Sequence, residues 1–477
     1  MARGSKSKRN PRNLRTVNSD KKQEEDKPPA WVIDINRRLG EGHTYDAGRS
    51  WTIYRVPSNL REVHKSAFVP KIISIGPFHF GDPRLQAMEE HKMRCLVRLL
   101  GGKFEEDGGR GPDQEEMPRK TINLENLVKS MKLVQQKTRA CYSEFFDIPS
   151  DDFVQMMVID GCFVVEILRH FYKFDKQEII ADPILETRWM LRTLQRDLLM
   201  LENQLPFFVL EEIFKLTSTD QEEPSLPVLT VTFFNPLLPR EDVAAKLDKE
   251  EEYDHLLDVF RATFLSAVRA RVKSHGWSSH NLSMPASQDV QLIHCAVELT
   301  EAGLKIRKRE NCDLLDISYS DRVLKIPPLY IDDNTVPMFF NFVAFEQCDK
   351  EAKPFFTNFF IFLDSLIYSK LDIQILHREG IINHVLGSDK GVAILINTLG
   401  RQIVYDPGQN YLSVEMKEVN HRCKVYYESR LQNWWRNLVK NYFNNPWSLV
   451  SLIAAISLLI LTFLQTFYTM YPYYEQE

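Results

Sequence analysis

The sequence lacks the patterns from which an activity is most directly inferred. Its seven cysteines include no CxxC pair, which argues against a zinc ribbon or a disulfide scaffold. The nucleotide-binding patterns GxxxxGK[ST] and GxGxxG and the hydrolase patterns HExxH and GxSxG are absent. The histidines are scattered, and none is spaced with a cysteine as a metal ligand. We therefore predict no catalytic residue, no cofactor and no metal ion.

A strong net charge is also missing. The chain has 60 Lys and Arg against 65 Asp and Glu, for a net charge of −5. Basic residues are concentrated near the start, so the rest of the chain is acidic and would repel a phosphate backbone. We predict no nucleic-acid partner. Residues 1–45 contain few apolar side chains and are predicted to form a disordered basic tail.

One long apolar run stands out because residues 447–467 contain no charged side chain. At about 1.5 Å per residue, a helix of this length spans roughly 30 Å, the hydrocarbon thickness of a bilayer. Aromatic residues flank the run on both sides, as in helices that end at membrane interfaces. We predict a transmembrane helix over 444–471 and a short tail over 472–477. The predicted anchor residues in contact with the lipid bilayer are Trp447, Leu449, Ile453, Ala454, Ala455, Leu458, Leu461, Phe463 and Phe467.

Charge flanks this run unequally. The basic residues before it are Arg422, Lys424, Arg430, Arg436 and Lys440, and the charged residues after it are Glu475 and Glu477. Because basic residues stay on the cytosolic side, we expect the large preceding part to be cytosolic. This predicts a single-pass, tail-anchored protein of the plasma membrane or an endomembrane. Ser451 and Ala455 have a spacing that favours helix pairing, so a homo-oligomer through this helix is a further expectation.

The pattern between residues 51 and 443 is mainly helical. Residues 151–171 repeat apolar side chains at helical spacing, whereas 314–326 read as a short β-hairpin with its turn at Ser320-Asp321. Further helices are predicted at 84–100, 121–146, 188–216 (bent or ended near Pro206), 250–274, 288–303, 334–349, 355–379 and 411–443, with surface loops at 101–120 and 218–227. The predicted fold class is mainly α: a large helical globular body with a short β-hairpin and a C-terminal transmembrane helix.

Polar residues within apolar stretches are the candidates for a functional site. They are Asp160, Glu202, Gln204, Glu346 and Cys348. Burying such groups without partners costs several kcal/mol, so each needs a partner if it faces inward. One interpretation is an enzyme pocket in which a carboxylate lies near a cysteine nucleophile. The other is structural hydrogen bonding, with Cys348 acting as an inert small apolar residue.

Long blocks of the sequence resemble the plant family called domain of unknown function 247. The blocks cover nearly all of residues 51–471, and they include WTIYRVPSNLREVHKSAFVPKIISIGPFHFG at 51–81, DDFVQMMVIDGCFVVEILR at 151–169, DPILETRWMLRTLQRDLLMLENQLPFFVLEEIF at 182–214 and YFNNPWSLVSLIAAISLLILTFLQT at 442–466. The resemblance implies a plant membrane protein with one C-terminal span. It supplies no catalytic residues.

Taken together, the sequence predicts a membrane-anchored protein with a helical cytosolic domain over 51–443. We expect this domain to act as a protein-interaction or signalling scaffold, whose protein partners the sequence does not identify. Confinement to a membrane raises the effective concentration of such partners without any new contact. The alternative is an enzyme with a polar pocket around Glu202, Glu346 and Cys348.

Overall fold

The computed structural model describes residues 51–101, 122–177, 182–218, 222–240, 247, 251–274, 292–429, 434–437, 439–440 and 446–474, together with 29, 31–32 and 36. The chain divides into two units, Met1–Ser50 and Trp51–Glu477. The predicted tail, residues 1–45, lies outside the described residues except at the positions just given. The second unit holds the helices and strands that carry the fold.

The second unit is mostly helical with short sheets, which confirms the predicted fold class. Its helices are α1 Ser58–Val63, α2 Ala87–Leu99, α3 Leu124–Ala140, α4 Ser150–Asp175, α5 Pro183–Glu186, α6 Arg188–Asp197, α7 Phe207–Thr217, α8 Leu226–Phe234, α9 Leu256–Ala262, α10 Ser266–Ser274, α11 Ala296–Glu301, α12 Thr335–Cys348, α13 Phe355–Leu366, α14 Lys370–Arg378, α15 Asp389–Leu399, α16 Ser413–Glu428 and α17 Pro446–Tyr474. Its strands are β1 Lys305–Lys308, β2 Ser318–Ser320, β3 Val323–Ile326, β4 Leu329–Ile331 and β5 Ile382–His384.

Helix α4 is the centre of the first half of the fold. It packs against α2, α3, α7 and α8, and most of its side chains are buried because its sequence is apolar on nearly every face. Gly161 lies where α4 meets α7, and a Cβ added there would lie 2.3 Å from Cδ1 of Ile213. The missing side chain therefore allows the two helices to pack closely. The predicted helix at 151–171 is confirmed.

Helix α12 is the centre of the second half. Its residues are buried from Thr335 to Glu346, and it packs against α13 and the short helical turn Lys65–Phe68. The ring of Phe342 lies 4.6 Å from that of Phe356 and 5.7 Å from that of Phe264, measured between centroids. Aromatic pairs of this kind add about 0.5–1.5 kcal/mol each to the effect of burial. A cluster of phenylalanines thus holds the second half together.

The predicted hairpin is present as β2 and β3. Its strands pair antiparallel, with Ser320 opposite Val323. The turn residues are Asp321 and Arg322, at φ values of 50° and 63°, which is one residue later than the sequence suggested. Positive φ at both central residues is the signature of the turn that matches the twist of a hairpin. In addition, β1 pairs parallel with β3 and β4 pairs parallel with β5, and neither pairing was expected.

Several predicted helices are shorter or interrupted. The helix predicted at 188–216 ends at Asp197, well before Pro206, and a new helix begins after that proline. The stretch 355–379 is divided by a break at Ser369, whose side chain caps α14. Within the described residues, the helices predicted at 121–146, 250–274, 288–303 and 411–443 are likewise shorter or divided, and α8 begins inside the loop predicted at 218–227. Most of the other predicted loop, 101–120, lies outside the described residues.

Helix α17 contains a stretch long and apolar enough to cross a membrane. This stretch is Val450–Thr469, with 20 residues and a mean hydropathy of 2.2, and none of its most apolar part is buried inside the protein. The side chains of Trp447, Ile453, Ala454, Ala455, Leu458, Leu461, Phe463 and Phe467 are exposed, and Leu449 lies within the same helix. The helix therefore contributes little to the core of the body.

Candidate functional site

Much of the candidate site lies along an irregular segment, residues 53–76, which we call the strap. The strap contains α1 and one short helical turn, but much of its backbone belongs to neither a helix nor a sheet. Many of its residues are nevertheless buried, including Ile53, Val56 and Ile73. Buried backbone groups need hydrogen-bond partners. In the strap, these partners are largely side chains from other parts of the chain.

Asp160 of α4 holds the end of the strap. Its Oδ2 accepts a hydrogen bond from the amide of Gly76 at 2.9 Å, and its Oδ1 accepts one from Nζ of Lys92 at 2.7 Å. Lys92, in α2, also donates to the carbonyl of Ser74. Burial raises the pKa of Asp160, and the ammonium of Lys92 and the Gly76 amide oppose that rise. The buried ion pair thus joins α2, α4 and the strap.

Glu202 holds the beginning of the strap. Its Oε1 accepts a hydrogen bond from the amide of Val56 at 2.7 Å, and Oε2 accepts one from the guanidinium of Arg55 at 3.1 Å. Arg61 pairs with the same carboxylate, and Nε2 of His79 lies 3.9 Å from Oε2. The side chain of Glu202 is only 1% exposed. Both carboxylate oxygens of Glu202 thus already accept hydrogen bonds or ion pairs from residues of the strap.

Gln204 closes the turn between α6 and α7. Its Nε2 donates to the carbonyls of Leu198 at 2.7 Å and Met200 at 2.9 Å. The carbonyl of Gln204 in turn accepts a hydrogen bond from the hydroxyl of Tyr142 at 3.1 Å. This turn carries Glu202, so Gln204 fixes the position from which the carboxylate reaches the strap.

Other polar side chains hold the strap in the same way, among them Asp197, Asn203 and Asn341. Asp197 accepts hydrogen bonds from the amides of Lys71 at 2.7 Å and Ile72 at 2.8 Å. Asn341 of α12 donates to the carbonyl of Ala67 at 2.9 Å. The sequence could have indicated Asn341, because it is an amide side chain among the phenylalanines of α12. A buried amide requires hydrogen-bond partners.

Glu346 binds backbone amides at the start of α13 rather than amides of the strap. Its two carboxylate oxygens accept hydrogen bonds from the amides of Phe356 at 3.0 Å and Thr357 at 2.8 Å. The first amides of a helix have no partner within it, so Glu346 caps α13 from a neighbouring helix. The guanidinium of Arg261 lies 2.7 Å from the same carboxylate. The polar groups at this junction thus satisfy one another.

Cys348 ends α12, two residues after Glu346. Burial raises the pKa of its thiol to about 12, and the charges of Asp349 and Glu202 add to that rise. The nearby carboxylates therefore disfavour the thiolate that a nucleophile requires. In the part of the chain that the structure describes, no hydrogen bond joins this thiol to a base, and no group of three or more His, Cys, Asp or Glu is arranged to hold a metal ion.

The structure thus brings Asp160, Glu202 and Gln204 to the strap and places Glu346 and Cys348 at the junction of α12 with α13. Glu202 and Cys348 are within electrostatic reach of each other, as a pocket would require. However, the negative charge of Glu202 raises the pKa of the Cys348 thiol, so it disfavours the reactive thiolate. In chemical terms, the four polar side chains satisfy buried amides and carbonyls.

The DUF247 family model, described as plant protein of unknown function, matches residues 53–461. The chain belongs to the DUF247 family. UPF0481 protein At3g47200 of Arabidopsis thaliana is 30% identical over 430 residues, covering 87% of this chain and 86% of that protein. Putative UPF0481 protein At3g02645 of Arabidopsis thaliana is 22% identical over 523 residues, covering 92% and 94%. No solved structure matches the chain.

The boundaries of the DUF247 match have a structural meaning. The match begins at Ile53, the first residue of the strap, and ends within α17. The strap, the residues that hold it and the first part of the apolar helix therefore all belong to the portion shared with the family.

Proposed function

We propose that this DUF247 chain is a single-pass membrane protein whose helical body lies on the cytosolic side and binds other proteins. The observation that carries the proposal is the apolar stretch Val450–Thr469, none of whose most apolar part is buried inside the protein. Exposed apolar surface costs roughly 25 cal/mol per Å² in water. Lipid removes that cost, and a helix of 20 residues matches a bilayer core of about 30 Å.

The proposed orientation is supported by charge. Lys424, Arg436 and Lys440 precede the apolar stretch, whereas Glu475 and Glu477 follow it. Basic residues next to a span tend to stay in the cytosol, which favours a cytosolic body. The same helix carries Ser451 and Ala455 one turn apart, and pairing of two copies through these small residues is part of the proposal.

A binding role for the body is supported by how its buried polar groups are used. Asp160, Glu202, Gln204 and Glu346 each have hydrogen-bond partners within the fold. The alternative of an enzyme pocket around Glu202, Glu346 and Cys348 requires a reactive thiol, and burial raises the pKa of that thiol to about 12. These contacts favour a body that binds partners on its surface over one that carries out catalysis in a buried pocket.

Membrane insertion is tested with the full chain carrying an N-terminal tag in sealed vesicles. We expect the chain to resist alkaline carbonate extraction, while protease added from outside, on the cytosolic face, removes the tag. The double variant Leu458→Arg/Leu461→Arg should be released, because each Arg near the bilayer centre costs about 2.5–3.5 kcal/mol. The matched control is Leu133→Arg, at a position on α3 that is 79% exposed, and it should stay in the membrane.

Two results would contradict the membrane proposal. One is extraction of the unchanged chain by carbonate, and the other is protection of the N-terminal tag from the protease. The binding role is tested separately by proximity labelling from the N-terminus in plant cells. Labelled neighbours should differ between the unchanged chain and Leu458→Arg/Leu461→Arg, and identical sets of neighbours would argue against a membrane-confined scaffold.

A further inference from the structure

A cleft of about 500 Å³ opens between the strap, α6, α12 and α15. This size is typical of sites for small molecules. The strap contributes Ser66 and Lys71 to its lining, and α12 contributes the apolar side chains of Val336 and Pro337. Leu395 of α15 completes an apolar wall. The cleft thus combines an apolar side with polar groups that come from separate elements.

Arg196, near the end of α6, lines this cleft and is only 3% exposed. Its Nη1 donates to Oδ1 of Asp197 at 2.7 Å, and its Nη2 donates to the carbonyl of Ser66. Its Nε has no acceptor among the described residues. Leaving a buried donor unpaired costs about 1–3 kcal/mol. Arg196 therefore carries one incompletely paired donor beside the cleft.

The N-terminus of α15 borders the same cleft. Ser388 and Gly391 are lining residues, and Oγ of Ser388 accepts the amide of Gly391 at 3.1 Å. The amides of the first turn have no acceptor within the helix, and the helix dipole makes this end electropositive. The carboxylate of Asp389 is held by Nε2 of His384 at 3.1 Å and is not part of the lining. A helix start of this kind is a favourable place for an anion.

Lys71 supplies a positive charge to the lining. Its amide is held by Asp197 at 2.7 Å, which fixes the backbone from which the side chain extends. The side chain is exposed, and within the described part of the chain its ammonium forms no ion pair. The acidic lining residue is Asp333, which is also exposed. Because Arg196 is paired with the buried Asp197, the positive charge available to a ligand comes from Lys71 and the electropositive start of α15, and Asp333 opposes it.

We infer that this cleft binds a small organic phosphate. The phosphate group lies toward Lys71, Arg196 and the first turn of α15, and the organic part lies against Val336 and Leu395. A phosphate is favoured over a carboxylate because donors approach from three elements, and a phosphate offers an additional oxygen and up to one additional negative charge. This site rests on the geometry of the cleft alone and is independent of membrane anchoring.

The test is isothermal titration of the detergent-solubilised full chain with phenyl phosphate, inorganic phosphate, benzoate and benzyl alcohol. Phenyl phosphate should bind most tightly, inorganic phosphate more weakly because it lacks the apolar part, and benzyl alcohol not measurably. Lys71→Met should weaken phenyl phosphate about tenfold, the size of one charge-assisted hydrogen bond. The matched control is Lys65→Met, an exposed lysine of the same segment outside the lining, which should bind normally.

A second variant adds a negative charge without altering the fold. Gly387 lines the cleft, and a Cβ added there meets no atom within 4 Å. Gly387→Asp should therefore keep the thermal midpoint of the unchanged chain and abolish binding of phenyl phosphate. The inference is overturned if phenyl phosphate does not bind at millimolar concentration, if benzoate binds equally well, or if Lys71→Met and Lys65→Met bind alike.

Discussion

The buried pair of Lys92 and Asp160 provides the sharpest test of how the strap is held. The side chain of Lys92 is 2% exposed and that of Asp160 is 3% exposed. Lys92→Met removes the ammonium, and among the described residues it leaves the Asp160 carboxylate with the amide of Gly76 as its hydrogen-bond donor. Breaking a buried ion pair by removing one partner costs about 3–5 kcal/mol. We expect a loss of that size in the free energy of unfolding.

This loss is measurable as a shift in the thermal midpoint of the full chain in detergent, followed by circular dichroism. The unfolding entropy is about 2.1 cal/mol/K per residue, so a unit as large as Trp51–Glu477 shifts by roughly 1 °C per kcal/mol. Lys92→Met should therefore lower the midpoint by about 3–5 °C at pH 7. Urea unfolding gives the free energy independently.

A double variant and a control separate the buried charge from loss of packing. In Lys92→Met/Asp160→Asn, the amide oxygen still accepts the Gly76 amide and no charge remains buried, so roughly half of the loss should be recovered. Lys132→Met makes the same change in an exposed pair with Asp151, where the side chains are 54% and 86% exposed, and it should cost under about 1 kcal/mol. Equal losses for Lys92→Met and Lys132→Met, or no recovery in the double variant, would refute the reasoning.

Three further predictions follow from other contacts. Burial raises the pKa of Asp254 to about 7, and its folded form therefore prefers the proton. Stability from this group should fall as pH rises from about 4 through 7, and Asp254→Asn should stabilise the chain at pH 8 but not at pH 4 in urea unfolding. Gly161→Ala should cost about 1–3 kcal/mol in urea unfolding through contact with Ile213. Ile213→Val in the same chain should recover part of that loss, and no recovery would contradict the contact as its cause. Cys348 should react with iodoacetamide at pH 8 far more slowly in the folded chain than in urea, whereas equal rates would revive the enzyme alternative.

The elements predicted best are those specified by neighbouring residues. The apolar spacing of 151–171 and the charge-free run at 447–467 each correspond to a helix. The hairpin predicted at 314–326 is present, but its first strand is limited to Ser318–Ser320 and its turn lies one residue later. Helical spacing also continued from Met190 to Leu205, yet α6 ends at Asp197. There Gln204 closes a turn on the carbonyls of Leu198 and Met200. Asp197 and Glu202 bond to distant backbone amides of the strap.

The roles of the candidate site residues were harder to predict for a related reason. The sequence indicated that Asp160, Glu202 and Glu346 need partners if buried, and the structure gives each a backbone amide. Those amides lie 84, 146 and 10 residues away. No local periodicity encodes such pairs, so a single sequence reveals the need for a partner but not its identity. The parallel pairing of β4 with β5 was missed on the same ground.

The strap has a consequence for the order in which the chain matures during synthesis. The hydroxyl of Tyr54 donates to Asp349 at 3.0 Å across 295 positions, and Asn341 reaches Ala67 across 274. The strap emerges from the ribosome long before Asn341 and Asp349 have been synthesised. Since contacts between distant positions form late, we expect the earliest-made part of the body to be the last to become protected from solvent exchange.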